Sequence, residues 1–173
     1  MSRAYRVTWV TVASHVTTTD SITMNLSLLG ILPPDDMAAL LRDELQRQGW
    51  EQQKDGSMKG TLQGETATLD RDATKVTVTV EGAESATARG VNKDLADAAL
   101  DAARARTREK LQADAAKKLT AVEPDLRGKL GEAIQKVYVE ALRKKAASLG
   151  TIESLRETTA ADGEYEVTIK VKT

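Results

Sequence analysis

A long Ala- and charge-rich stretch, residues 85–149, lies between two regions whose sequences alternate like β-strands, and this stretch constrains the fold most. Within it, apolar residues recur every three or four positions, which is the spacing of one face of a helix. The pattern is interrupted once, at Pro124, and a proline inside a helix normally ends or kinks it. The stretch therefore predicts two antiparallel helices that form a helical hairpin.

The region before this stretch predicts a β-hairpin followed by a helix. Ala4–Val16 and Ile22–Leu28 both alternate between apolar and polar residues, and Thr17–Asp20 is expected to separate the two strands. Pro33–Asp36 then favours a helix start, because proline is tolerated in the first turn and carboxylates suit the positive end of the helix. We expect Gly49 to end this helix. Its apolar stripe, which should cover the dry face of the hairpin, contains Met37, Ala38, Leu40, Leu41 and Leu45.

Short strands are expected on both sides of the helical stretch. Turn signals at Lys54–Ser57 and Gln63-Gly64 predict a meander that ends with the alternating strand Val76–Val80. Glu153–Glu157 resembles a further short strand, and Ala160–Gly163 a turn. We expect the last alternating segment, which begins at Tyr165, to return to the main sheet.

These elements together predict an α+β fold in a single domain, residues 1–173. The fold should contain a mostly antiparallel sheet, one covering helix and a long inserted antiparallel helical hairpin over residues 85–149. Sequential strands joined by short turns favour antiparallel pairing, whereas parallel pairs need long crossover connections.

Composition excludes several classes of function. The net charge of -1 argues against a globally basic nucleic-acid binder. The absence of cysteine excludes disulfides, thiolate zinc sites and a cysteine nucleophile. No apolar run follows Met1-Ser2-Arg3, and none approaches the roughly 18 residues that a membrane span requires. We therefore expect a cytoplasmic protein without membrane insertion.

His15 is the only histidine and hence the first candidate for catalysis. A general base needs a nucleophile or an orienting carboxylate nearby, and Ser14 and Asp20 are only neighbours in sequence. We interpret His15 as a polar surface residue. A hydrolase or lyase that uses His15 is retained as a third hypothesis.

Paired carboxylates and spaced glycines also have structural explanations. The pairs Asp35/Asp36 and Asp70/Asp72 lack the ligand spacing of a calcium loop, and they suit a helix start and a turn. The glycines at positions 56, 60 and 64 lack the strand–loop–helix context of a phosphate loop. We therefore predict no catalytic residue, no cofactor and no metal site, and a protein that is not an enzyme.

The helical stretch offers the best contact surface. Residues 101–118 carry a net charge of +3, and further basic residues lie at 143–145. A basic helical hairpin could bind nucleic acid, but the aromatic residues that stack on bases are missing there, apart from Tyr138. Contacts at the rim of an interface with a partner are predicted for Arg104, Arg108, Lys144 and Lys145.

Three parts of the chain carry a resemblance to a known group: Met1–Val7, Leu29–Leu41, and the ending from Tyr138–Leu142 through Leu149-Gly150 to Glu164–Val167. They resemble small bacterial proteins encoded beside FtsH-like AAA+ ATPases and von Willebrand factor A proteins, in "ternary" systems. The resemblance implies a non-enzymatic accessory or adaptor protein that acts with an AAA+ ATPase-type assembly in stress or conflict response. It supplies no active-site residues. The alternative is a nucleic-acid- or ribosome-associated protein that uses the basic helical hairpin.

Overall fold

The computed structural model describes residues 8–159 and 165–172, which form seven strands and two helices. The predicted α+β class and the antiparallel main sheet are confirmed. The elements are β1 (Val10–Asn25), α1 (Pro34–Arg47), β2 (Glu51–Gln52), β3 (Met58–Leu62), β4 (Glu65–Leu69), β5 (Lys75–Gly90), α2 (Lys93–Leu149), β6 (Thr151–Thr159) and β7 (Tyr165–Lys172).

The chain divides into two compact units, and β1, β5 and α2 each contribute to both. Unit 1 contains the chain up to Ile22 together with Val78–Val122. Unit 2 contains Thr23–Thr77 and the chain from Glu123 onward. The sequence predicts one domain over residues 1–173, and this remains a prediction.

The main sheet has five strands in the order β1-β5-β4-β3-β2. The predicted meander is present: β3 pairs with β4 from Met58 opposite Leu69 to Leu62 opposite Glu65, and β2 extends the sheet beyond β3. Gly56 and Gly64 have φ values of 87° and 89°, which glycine adopts without the steric cost that a side chain adds. Both glycines lie in the turns that the sequence predicts.

The predicted hairpin at the start of the chain is wrong, because Val10–Asn25 is one continuous strand. Thr17–Asp20 offers no glycine or asparagine for the positive φ angles of a tight hairpin turn, and threonine favours extended backbone. The alternation between half-buried and exposed side chains also keeps its phase through most of this segment, apart from Asp20. The segment that was interpreted as a turn therefore extends the strand.

Helix α1 has the predicted limits. It begins at Pro34, its first turn contains Asp35 and Asp36, and Gly49 follows its end with a φ of 90°. All five members of the predicted apolar stripe are buried, and Leu41 is completely inaccessible.

Helix α2 replaces the predicted helical hairpin, so that prediction is wrong. A single helix of 57 residues runs through Pro124. Although proline removes one backbone hydrogen bond, the neighbouring residues are strong helix formers, and Val122 and Leu126 are buried on either side of it. The Thr120 hydroxyl donates to the carbonyl oxygen of Ala116 at 2.9 Å, a back-bond that often accompanies a bend.

The predicted helical stretch also begins too early, because residues 85–90 belong to β5. This part of β5 is poor in strand-forming residues, but its small residues permit a close approach of α2. A Cβ atom at Gly90 would lie 2.4 Å from the backbone nitrogen of Ala96, and one at Gly82 would lie 3.1 Å from Cδ2 of Leu111. Tertiary packing therefore selects the strand here over local preference.

The last strand does not join the main sheet, so this prediction is also wrong. β7 pairs with β6 in a separate two-stranded antiparallel sheet, in which Leu155 lies opposite Ile169. Pairing of β7 with β6, the strand that precedes it, closes a shorter loop than a return to the main sheet would. It therefore loses less entropy, because the entropy lost on closing a loop increases with its length. The turn predicted at Ala160–Gly163 lies outside the described residues.

Candidate partner-binding surfaces

The predicted rim contacts in unit 1 are Arg104 and Arg108, both exposed on the first half of α2. Arg104 donates to Asp101 at 3.1 Å in an exposed pair one helical turn apart, and such pairs contribute little to stability. The nearby Lys110 binds Glu84 of β5 with Nζ–O distances of 2.9 and 3.0 Å. This hydrogen bond and the charge of Glu84 raise the pKa of Lys110. Lys110 therefore ties the helix to the strand.

The predicted rim contacts in unit 2 are Lys144 and Lys145, both exposed near the end of α2. Lys145 Nζ donates to the carbonyl oxygen of Ile31 at 3.1 Å, which ties α2 to the loop between β1 and α1. Arg104 and Arg108 thus lie in unit 1, and Lys144 and Lys145 lie in unit 2, all on the single helix α2.

The loop between β1 and α1 is an apolar surface that sequence reasoning missed. Its residues 26–32 include four leucines, and the side chain of Leu29 is 59% exposed. The hydroxyl of Tyr138 holds the loop, since it accepts from the Leu29 backbone nitrogen at 3.1 Å. Beside the loop lies a cavity of about 190 Å³ that is lined by Leu26, Leu28, Leu29, Leu32, Met37 and Ala73, among others. The sequence feature that could have revealed this surface is the group of four leucines within residues 26–32.

A charged groove in unit 2 is built around Glu44, the one buried charged residue in the part of the chain that the structure describes. Lys136 of α2 donates to Glu44 at 3.0 Å, and Gln48 donates to it at 3.1 Å. Burial would raise the pKa of Glu44, but these hydrogen bonds and the positive charge of Lys136 hold it below its ordinary value. The carboxylate therefore stays ionised and joins α1 to α2.

The other wall of this groove includes the β6–β7 hairpin. Glu157 of β6 accepts from the Tyr165 hydroxyl at 2.6 Å and from Arg143 of α2 at 3.4 Å. The bond to Glu157 raises the pKa of Tyr165. The groove encloses about 450 Å³, and its cations are largely neutralised by acidic neighbours. Because its cations are already paired, the groove is better interpreted as a packing junction between elements than as a binding site for an anionic ligand.

Strand β1 offers a partner a long edge on which no described strand lies. β1 is the first strand in the sheet order, and it is 16 residues long. Its odd-numbered side chains are exposed. An unpaired strand edge is a ready template for pairing with another chain.

The candidate catalytic residue His15 lies in unit 1, and the candidate metal-binding carboxylates lie in unit 2. His15 is exposed on β1, and the adjacent Ser14 hydroxyl contacts the carbonyl oxygen of His15, not its ring. Asp70 accepts from Thr74 and Lys75, and these bonds keep its pKa low despite the opposing effect of burial. Within residues 8–159 and 165–172, no group of three histidine or acidic side chains could hold a metal ion. The prediction that the protein is not an enzyme remains a prediction.

Comparison with protein families assigns the chain to a group. The family model for FtsH ternary system domain X5 matches residues 1–173. The chain belongs to this family. The resemblance carried by the two ends of the chain and by the Leu29–Leu41 stretch is thereby confirmed. No curated protein and no solved structure matches the chain. Among the described residues, no helix is long and apolar enough to cross a membrane.

Proposed function

We propose that this protein is a non-enzymatic accessory or adaptor subunit that acts with an AAA+ ATPase-type assembly in an FtsH ternary system. The observation that carries this proposal is the match of the family model to the whole chain. We place its work in the cytoplasm, as the sequence predicts, and in stress or conflict response, as the resemblance implies.

The surfaces described above suit protein contacts. The apolar loop around Leu29 offers an exposed side chain beside a small apolar cavity, and exposed apolar patches on a protein surface commonly mark sites of protein–protein contact. Arg108 and Lys144 are exposed and suit the polar rim of an interface. We therefore propose the Leu29 loop as the anchor for the ATPase partner, with Lys144 as a rim contact in the same unit.

The basic residues favour a protein partner over nucleic acid. They are distributed along a single helix, and two of them are paired with acids: Arg104 with Asp101, and Lys110 with Glu84. Binding to phosphates requires cations that are free to replace counterions. Nucleic-acid or ribosome binding is therefore the alternative outcome of the test below.

The test is affinity purification of the tagged protein from its own host, with and without ATP, followed by mass spectrometry and a nucleic-acid assay. We expect recovery of an AAA+ ATPase, and we expect Leu29→Asp to reduce that recovery at least tenfold. The matched control is Leu149→Asp, which alters another exposed leucine of unit 2 and should leave recovery unchanged. Recovery of RNA, DNA or ribosomes in place of an ATPase would contradict the proposal.

A further inference from the structure

Among the described residues, the edge of β1 has little of the usual protection against strand pairing, and Asp20 is the one charged side chain on its inner face. One side of β1 pairs with β5, and no described strand lies on its other side. Natural proteins block such edges with lysine, proline, bulges or inward-pointing charges. Val10–Asn25 contains no lysine, arginine or proline, and Asp20 is its one acidic residue. A 16-residue edge of this kind is suited to accept another strand.

The phase of the β1 backbone determines which residues would make the new bonds. Just beyond the strand, Leu26 donates its backbone N–H to the carbonyl oxygen of Thr74, at the start of β5, at 2.7 Å. Because bonding alternates along an antiparallel strand, even-numbered residues direct their backbone groups toward β5 and odd-numbered residues direct theirs toward the open side. The odd-numbered residues from Thr11 to Thr23 are therefore available for pairing.

We propose that β1 pairs antiparallel with β1 of a second copy of this chain, about a two-fold axis at Thr17. A two-fold contact uses the same surface on both copies, so that residue i meets residue j and j meets i. An axis at Thr17 sets Val12 opposite Ile22 and Val10 opposite Met24. The half-buried apolar side chains on the inner face of each strand would thus meet their counterparts in the other copy.

The charge pattern selects this axis over its neighbours. With the axis at Thr17, Asp20 lies opposite Ser14, and no charged residue faces another. Moving the axis by one residue in either direction would place Asp20 opposite Val16 or Val12, and an unpaired carboxylate beside an apolar side chain is unfavourable.

The exposed face of β1 also suits a second copy. An axis at Thr17 sets Thr11 opposite Thr23 and Thr17 opposite itself. Cross-strand threonine pairs stabilise antiparallel sheets. The fold already uses such a pair on this face, since the hydroxyl oxygens of Thr23 and Thr77 lie 3.1 Å apart between β1 and β5.

Mass measurement tests the pairing directly. Light scattering after size-exclusion chromatography should give about twice the chain mass of 18.7 kDa. Thr17→Pro removes an N–H group on the open side and spares the bonds to β5, and proline is tolerated on an edge strand in this orientation. We expect this variant to have the mass of one chain and an unchanged circular dichroism spectrum. A wild-type chain that is monomeric at every concentration tested would overturn the proposal.

A pair of lysine variants separates a specific effect from a general effect of added charge. Thr17→Lys brings two positive charges together at the axis and should also give the mass of one chain. Thr87→Lys adds the same charge to an exposed position of β5 and should leave the dimer intact. Equal loss of the dimer in both variants would overturn the proposed interface.

Cysteine cross-linking tests the position of the axis. Because the chain has no cysteine, an introduced cysteine is its sole thiol. In a hydrogen-bonded antiparallel pair the Cα atoms are about 5.5 Å apart, within the range of a disulfide. Thr17→Cys should therefore form a covalent dimer on oxidation. Ser21→Cys is the control, because the two copies of residue 21 would lie about 27 Å apart along the paired strands. Equal cross-linking of both variants would contradict the axis.

The self-pairing is independent of the proposed adaptor function. A monomeric chain that still recovers an AAA+ ATPase would overturn the self-pairing and leave the adaptor function standing. Capture of an extended segment of another protein on β1 of a monomeric chain would also overturn it. A dimer that dissociates on Thr17→Pro would support it, whichever partner the assembly contains.

Discussion

The two halves of α2 are buried by different means. In unit 1 the helix approaches small residues of β5, and the core cluster contains Val16, Ala86, Leu100 and Leu111, of which the leucines keep 5% and 9% exposure. In unit 2 the helix belongs to a core of larger, fully buried side chains. Its members include Met37, Leu41, Leu45, Met58, Leu62, Leu69, Leu126 and Val137.

The difference shows two ways of stabilising one helix. Burial of a large apolar side chain contributes roughly 1.5–3 kcal/mol, so the core of unit 2 gains more from each residue. In unit 1 the backbone of α2 at Ala96 closely approaches Gly90, and the side chain of Leu111 occupies the space beside Gly82. We therefore expect unit 1 to be sensitive to added volume and unit 2 to lost volume.

The largest expected effect tests the core of unit 2. Leu41→Ala should lower the free energy of unfolding by about 4 kcal/mol, because Leu41 is completely buried and its loss leaves a cavity. Leu100→Ala in unit 1 should cost about 2 kcal/mol, since its site is less enclosed. Urea unfolding followed by tryptophan fluorescence and circular dichroism measures both losses. A larger loss for Leu100→Ala would contradict the comparison.

The next effect concerns Pro124, which lies two residues beyond the boundary between the units. Proline costs about 3 kcal/mol more than alanine inside a helix. Pro124→Ala should therefore raise the free energy of unfolding by about 2–3 kcal/mol, as measured by thermal unfolding. The control is Gly128→Ala, where a new Cβ meets nothing within 4 Å and about 1 kcal/mol should be gained. A gain no larger than the control would contradict a continuous helix through Pro124.

Added volume should destabilise unit 1. Gly90→Ala places a Cβ atom 2.4 Å from the backbone of Ala96, which cannot give way as a side chain can. The expected loss is about 2 kcal/mol, within the usual range for overpacking. Gly82→Ala meets the flexible end of Leu111 at 3.1 Å and should cost less. Equal losses in urea unfolding would show that the helix is not held close at Gly90.

The smallest effect concerns charge and pH in unit 2. The folded-state pKa of Glu44 lies below its ordinary value of 4.5, so its ionisation stabilises the fold above that pH. This contribution is lost as the pH falls through the lower folded-state pKa. Lys136→Met should cost about 1 kcal/mol at neutral pH and should weaken the loss of stability in acid. Lys144→Met is the matched control and should change neither quantity in urea unfolding at several pH values.

Local signals predicted the elements whose limits depend on local chemistry. Pro33-Pro34 and Gly49 bounded α1 correctly, and the turn glycines at 56 and 64 marked the meander. Pro124 was misleading, because its local cost is outweighed by burial of the helix on both sides. Thr17–Asp20 was misleading for a similar reason, since polar residues suit an edge strand as well as a turn.

The candidate contact residues were predicted in kind but not in arrangement. Arg104, Arg108, Lys144 and Lys145 are exposed, as the helical spacing indicates. The helical hairpin on which the sequence places them does not form. The apolar loop around Leu29 was missed, because an exposed leucine and a buried one have the same sequence signature. The role of these residues in partner binding remains a prediction.

The sequence by itself determined the α+β class, the apolar faces of the elements and the family, because these depend on residue type and spacing. Only the tertiary structure decided that residues 81–90 extend a strand, that α2 continues through Pro124 and that β7 pairs with β6. In each case the local conformational preference of the residues is worth a few kcal/mol at most, and it competes with packing between residues distant in sequence. Such packing has no local signature, and here it outweighed the preference.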